Sequence, residues 1–220
     1  MSSSLRRKQG STDSARDHNT DRVRMRFRNT RQPDWDWWGR LWTAPGETLR
    51  DLGLKTGDDV AEVCAGNGYF AFPAGRIAQP GDVYAVDIDA ALLDELEGIA
   101  EKNGVANIET VTADAYELSE HIDAVDFVLL ANTLHGVDDP RRILSECREV
   151  LADDGRLAVV NWHDLQRHET TVAGEERGPP EELRMTPDKT VDVAESAGLV
   201  EAERTELPPY HYAITFRLDG

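Results

Sequence analysis

The stretch Asp59-Val60-Ala61-Glu62-Val63-Cys64-Ala65-Gly66-Asn67-Gly68-Tyr69-Phe70 decides the architecture. Its first six residues read as a buried strand; Gly66 and Gly68 then turn the chain into a helix running to about Ala78. Glycines at a strand-to-helix turn let a ligand approach the backbone, and the helix start adds exposed N–H donors. Outward from this unit the pattern repeats. Asp82–Ile88 is a second strand, Ala90–Asn103 a helix stopped by Gly104, and Ile108–Thr112 a third strand. Val125–Ala131 is a fourth strand, apolar enough for burial on both faces. Pro140–Leu151 is a helix closed by Asp153-Asp154-Gly155, and Arg156–Trp162 is a fifth strand. Strands alternating with helices imply an α/β fold, an open, mostly parallel sheet sandwiched by helices.

Beyond Trp162 the rhythm breaks. His163–Leu183 is polar, carries Gly178-Pro179-Pro180, and reads as a long excursion over the carboxyl edge of the sheet. Thr186-Pro187-Asp188 starts a helix with an N-cap and a proline in the first turn, ending at Gly198. Val200–Glu206 and His211–Leu218 flank Pro208-Pro209 as a terminal antiparallel hairpin, giving seven strands. Upstream, residues 33–57 read as a tryptophan-rich N-terminal helix. It starts at Pro33-Asp34 and carries Trp35, Trp37, Trp38 and Trp42, with Leu41, Leu49, Leu52 and Leu54 on one face. It packs on the domain or forms a lid over a ligand. Residues 1–32 read as a flexible basic arm, and Met25 is an alternative start. The domain proper is 58–220.

The chain has 220 residues, 24 Lys and Arg against 42 Asp and Glu, and a net charge of -18. The arm holds nine basic and three acidic residues, which leaves -24 on the rest. A body of that sign repels nucleic acid and anionic membranes. With 20 Arg and only 4 Lys it also fits a halophilic protein, in which concentrated salt screens the self-repulsion. No apolar run approaches a membrane span and no secretory signal is visible, so a cytoplasmic location is expected. Cys64 and Cys147 are the only cysteines, too few for a disulfide scaffold, and no metal site is expected. Cys147 sits at core spacing with Ile143, Leu144 and Val150.

The glycine turn also fits a dinucleotide fingerprint, with Asp87 standing 21 residues after Gly66. Three acids favour a different nucleoside. Glu62, just before the glycines, stands where a pyrophosphate would be repelled but a cationic or zwitterionic ligand such as the aminoacyl end of S-adenosylmethionine is welcome. Asp87 ends the second strand, where a carboxylate accepts ribose hydroxyls. Asp114 follows the third strand, within reach of an adenine amino group. Each acid alone could equally be a helix N-cap or a solvated turn.

From about Gly57 to Trp162 the sequence resembles the class I S-adenosylmethionine-dependent methyltransferases, particularly the small-molecule group with ubiquinone- and menaquinone-pathway enzymes. Glu62 through Gly68 resembles the family's first motif, Val86-Asp87-Ile88 its second-strand end, and Asp114 its adenine-contacting acid. Asp126 through His135 resembles the fourth-strand segment, and Pro140 through Gly155 the helix and turn before strand five. The resemblance implies a Rossmann-like methyltransferase fold and S-adenosyl-L-methionine as cofactor. It implies contacts from Glu62, Ala65, Gly66, Asn67, Gly68, Asp87, Ile88, Asp114, Ala115 and Asn132, and a small-molecule methyl acceptor as partner. Cys64 departs from the family, which usually has glycine there. His135, after strand four, is the first candidate general base and His163, after strand five, the second; Tyr210-His211-Tyr212 opens the last strand nearby. An NAD(P)-dependent oxidoreductase and a non-catalytic cofactor-binding regulator are the alternatives.

Overall fold

The structure is a computed structural model and describes residues 35–220. The basic arm, Met25 and Pro33-Asp34 lie outside the described residues. The segment expected as one tryptophan-rich helix is two, α1 (Trp35–Leu41) and α2 (Pro45–Asp51). Pro45 causes the break. The residue before a proline is pushed out of the helical region, and Ala44 accordingly has φ -137 and ψ 65.

The remaining elements follow the alternating pattern. They are β1 (Val60–Val63), α3 (Ala71–Ala78), β2 (Val83–Asp87), α4 (Ala90–Lys102), β3 (Ile108–Thr112), β4 (Val125–Ala131), α5 (Pro140–Glu149) and β5 (Leu151–Trp162). A short hairpin, β6 (Thr171–Val172) and β7 (Glu175–Glu176), lies inside the polar excursion. Helix α6 (Pro187–Ser196) and strands β8 (Leu199–Leu207) and β9 (His211–Leu218) complete the chain. Three helix starts are capped as their sequences require. Asp89, Asp139 and Thr186 accept from the N–H groups of Ala91, Arg142 and Lys189, and Pro140 and Pro187 occupy the first turn.

One seven-stranded sheet has the order β3-β2-β1-β4-β5-β9-β8, with β9 antiparallel to both neighbours. Every residue of β1 is buried, as a strand covered on both faces must be. One face packs on α5 and α6 through Ile143, Leu144, Cys147, Val191 and Ala194. The other packs on α2, α3 and α4 through Leu49, Ala74, Ile77, Leu93 and Leu96. Cys147 is therefore core. The chain winds outward from β1 to β3, then crosses to β4 and winds the other way. The order thus reverses between β1 and β4, and the crevice at the carboxyl ends of those strands is where such sheets bind ligands.

Strand β5 begins five residues before the expected Arg156. The Asp153-Asp154-Gly155 turn does not end the preceding helix but lies within the strand as an irregularity: Val125 pairs with Leu151, whereas Phe127 already pairs with Arg156.

Candidate active site

The turn after β1 is built from backbone conformations that most residues avoid. Gly66 and Gly68 have φ 56 and 81, and a Cβ on Gly68 would clash with the Leu96 side chain. Cys64 has φ 60, in the left-handed region that the family fills with glycine. Its thiol is half-buried, raised well above the ordinary thiol range by burial and bonded to Thr133, and it acts as a small filler under the turn. A β-branched residue tolerates this backbone worst. Cys64→Val is expected to cost about 2 kcal/mol in urea unfolding. Wild-type stability in that variant would place the turn outside the left-handed region.

The three strand-end acids have separate environments. Glu62 is buried at the start of α3, where it accepts a hydrogen bond from the Ala71 N–H. Its Oε2 has no hydrogen-bond partner among the described residues. Burial, with Asp87 nearby, pushes its carboxyl up to about 8. Asp87 ties the turn together: Oδ2 accepts from the Gly66 N–H at 2.8 Å and Oδ1 from the Asp89 N–H at 2.9 Å. Burial also raises its carboxyl, against the pull of those bonds. A carboxylate has about four acceptor positions, so room remains for a ligand hydroxyl. Asp114 caps the short 3-10 helix Ala115–Glu120 through the Tyr116 N–H at 3.1 Å, so the capping role is real.

The other expected contacts divide. Ala65 is buried and donates its N–H to the Val86 carbonyl at 3.0 Å, fixing the turn on β2. Asn67 turns its amide toward Glu95 on α4 at 3.3 Å. Ile88 is half-buried after β2, and Ala115 is buried beside Asp114. Asn132 bends the chain after β4 with φ 56, and its Oδ1 is buried without a partner among the described residues. Asn tolerates that conformation better than other side chains.

The histidines are separated by strand alternation. His135 lies in the 3-10 turn Leu134–Gly136, buried, with Nδ1 3.1 Å from Asn161 Oδ1. Burial holds it down to about 4, so it is neutral. Asn161 pairs across strands with Tyr212, whose hydroxyl meets Thr190 at 2.7 Å and donates to the Met185 carbonyl at 2.9 Å. His163 follows β5 near the surface, with Nε2 2.9 Å from Glu206 Oε2. Trp162 faces the opposite way, toward the N-terminal helices.

On that opposite side His211 lies between two indoles. Its ring centroid is 4.6 Å from Trp42 and 4.1 Å from Trp162, with Tyr210 stacked beyond Trp162 at 6.1 Å. Trp42 and Trp38 also grip the glycine turn. Trp42 meets Phe70 edge-on at 5.6 Å, Trp38 stacks on Tyr69 at 6.1 Å, and the Tyr69 hydroxyl donates to the Trp42 carbonyl at 2.7 Å. The first two helices therefore roof the same sheet edge that carries Glu62 and Asp87. The sequence showed these aromatic residues but not their meeting, which depends on the register of β5 against β9.

Residues 61–159 match a family described as a methyltransferase domain. A 2-phytyl-1,4-naphtoquinone methyltransferase of Trichormus variabilis is 30% identical over 126 residues, covering 56% of this chain and 54% of that protein. A ubiquinone/menaquinone biosynthesis C-methyltransferase UbiE of Francisella tularensis is 30% identical over 125 residues, covering 56% and 49%. The chain thus spans about half the length of these curated relatives. Among solved structures, an S-adenosylmethionine-dependent methyltransferase from Aquifex aeolicus superposes with a TM-score of 0.70 at 24% identity, over 81% of this chain and 92% of that one. Among the described residues no helix is long and apolar enough to cross a membrane, and no group of three or more His, Cys, Asp or Glu is placed to hold a metal ion. Acidic strand ends around a glycine turn, on a sheet with this order and a reversed seventh strand, agree with those similarities: residues 61–159 form a methyltransferase domain of the class I S-adenosylmethionine-dependent type.

Proposed function

We propose that the protein transfers a methyl group from S-adenosylmethionine to a small-molecule acceptor. The observation that carries this reading is Glu62: a buried carboxylate with one oxygen unpartnered, beside a glycine turn at the switch point of the sheet. Two acids at that point repel a pyrophosphate and favour an ammonium or sulfonium. Glu62 would hold the cationic aminoacyl end, Asp87 the ribose hydroxyls and Asp114 the adenine amino group. Gly66 and Gly68 leave the backbone open to close approach, and Asn132 offers a further acceptor.

When bound, S-adenosylmethionine supplies an electrophilic methyl carbon. The protein's own residues then align the acceptor and exclude water. Trp38, Trp42 and Trp162 wall the edge with apolar surface, and Tyr69 ties that wall to the glycine turn. Of the two candidate bases, His135 is neutral, although its Nδ1 is engaged with Asn161, whereas His163 is paired with Glu206 near solvent. His135 therefore remains ahead of His163. The names of the two relatives make quinone- and naphthoquinone-type rings the first acceptors to try.

The test is incubation with methyl-labelled S-adenosylmethionine and a panel of small ring compounds. Label in a small extractable product is the expected result; label in RNA or protein instead would overturn the small-molecule reading.

We also read the chain as cytoplasmic and adapted to concentrated salt, on its charge of -18. Molar KCl shortens the Debye length to roughly 3 Å and screens that self-repulsion. The melting temperature is expected to rise from dilute buffer to molar KCl; an equal or higher value in dilute buffer would remove the salt adaptation.

A further inference from the structure

Two buried polar atoms, on rings that touch each other, lie on the aromatic side of the sheet edge with nothing to bond among the described residues. Trp42 Nε1 and His211 Nε2 each lack a hydrogen-bond partner among the described residues, although Trp42 is 4% and His211 1% exposed. Their rings are in contact, with centroids 4.6 Å apart. Buried indole N–H and imidazole nitrogens ordinarily find partners, because each one left unmade costs roughly 1–3 kcal/mol. The two atoms are complementary: the indole can only donate, and a neutral imidazole nitrogen without its proton can only accept. One small group satisfies both at once, a hydroxyl, which accepts through a lone pair and donates through its hydrogen.

We propose that Trp42 Nε1 and His211 Nε2 together bind the hydroxyl of a flat aromatic methyl acceptor, and that His211 is the catalytic residue that takes its proton. The flat ring follows from the surroundings, since Trp42, Trp162 and Tyr210 present ring faces and edges here, with Phe70 behind Trp42. Burial above all, and after it the charges of His135, His163 and Arg184, hold the His211 imidazole well below its ordinary range, so it is neutral before the acceptor arrives. In the step itself the O–H bond breaks and its proton moves to Nε2. The freed oxygen pair forms the bond to the methyl carbon, and the methyl–sulfur pair returns to sulfur, leaving a neutral thioether.

The inference rests on the methyltransferase reading, and the test separates the two. The full chain in molar KCl is titrated first with S-adenosylmethionine, then with 2-naphthol in the presence of S-adenosylhomocysteine. The same titration is made with 2-methoxynaphthalene, which keeps the ring but has no hydrogen to donate. The wild type is expected to bind 2-naphthol at least about tenfold more tightly than its methyl ether, the size of one good hydrogen bond to a buried group. Trp42→Phe and His211→Gln should each reduce that preference severalfold, and His211→Gln should leave S-adenosylmethionine affinity unchanged. With labelled methyl donor and 2-naphthol, His211→Gln should lower kcat far more than it raises KM, because the amide can still hold the hydroxyl but cannot take its proton. Equal binding of the two naphthalenes by the wild type overturns the inference without any variant having to fold. Unchanged kcat in His211→Gln overturns the proton-accepting role. Failure of the wild type to bind S-adenosylmethionine overturns the reading beneath it and this inference with it.

Discussion

At roughly pH 6 the protein is expected to bind S-adenosylmethionine between about tenfold and about a hundredfold more weakly than at roughly pH 8.5, with proton release on binding at the lower pH. Glu62 is the reason. Its carboxyl titrates near 8 because it is buried with a second acid nearby, so below that pH the empty site is mostly neutral. A cationic ligand favours the charged form and must expel the proton to gain its full attraction. Each pH unit below the carboxyl's own titration costs up to about 1.4 kcal/mol of binding. Glu62→Gln should bind weakly at all pH values and show a flattened profile. A pH-independent affinity in the wild type would mean that Glu62 does not face the ligand.

The same proton affects the fold. The unfolded chain loses it near 4.5 and the folded chain only near 8, so Glu62 makes stability decline as pH rises between those values. His135 acts in the opposite direction. Its folded value near 4 lies below the ordinary 6.5, so stability declines as pH falls through that window. Urea unfolding of Glu62→Gln should lack the first slope and keep the second.

Arg184→Ala should release the excursion between β5 and α6, with a loss of about 3 kcal/mol. The buried Arg184 guanidinium donates to the carbonyls of Leu165 at 2.7 Å, Pro179 at 3.1 Å and Arg177 at 3.3 Å, and to Thr170 Oγ1 at 2.9 Å. It also lies over the Trp162 ring at 5.7 Å. One planar fork thus ties four points of a segment that has little apolar surface of its own. Removing it leaves three carbonyls and a hydroxyl to find other donors and uncovers Trp162. Limited proteolysis should then cut within 163–186 at concentrations that spare the wild type. Arg184→Lys should rescue little, since an ammonium has three donors and no plane. Resistance to protease in Arg184→Ala would show that the excursion is held by something else.

How much of this was legible in the sequence follows from the range of each interaction. The strands around Glu62, Asp87 and Asp114 were readable because hydrophobic alternation, glycine turns and caps such as Thr186 are local. The seven-stranded sheet with a reversed last strand followed from the same signals. Two local features were misread. Pro45 splits the tryptophan helix, and Asp153-Asp154-Gly155 is taken into β5 rather than ending α5. Both are sites where a breaker residue could be accommodated in more than one way. The Trp42–His211–Trp162 contact was not legible, because it depends on Trp162 pairing with His211 across antiparallel strands. A slip of one residue would have turned His211 to the other face. The Arg184 fork was equally hidden, since its acceptors are mostly backbone carbonyls that carry no sequence signature.

The most direct test of the central claim is calorimetric titration of S-adenosylmethionine, S-adenosylhomocysteine and NADH into the protein in molar KCl. The strand-end acids predict micromolar binding of the two adenosyl-sulfur compounds and none of NADH. Binding of NADH with the other two silent would contradict the assignment of Glu62 and, with it, the methyl-transfer reading.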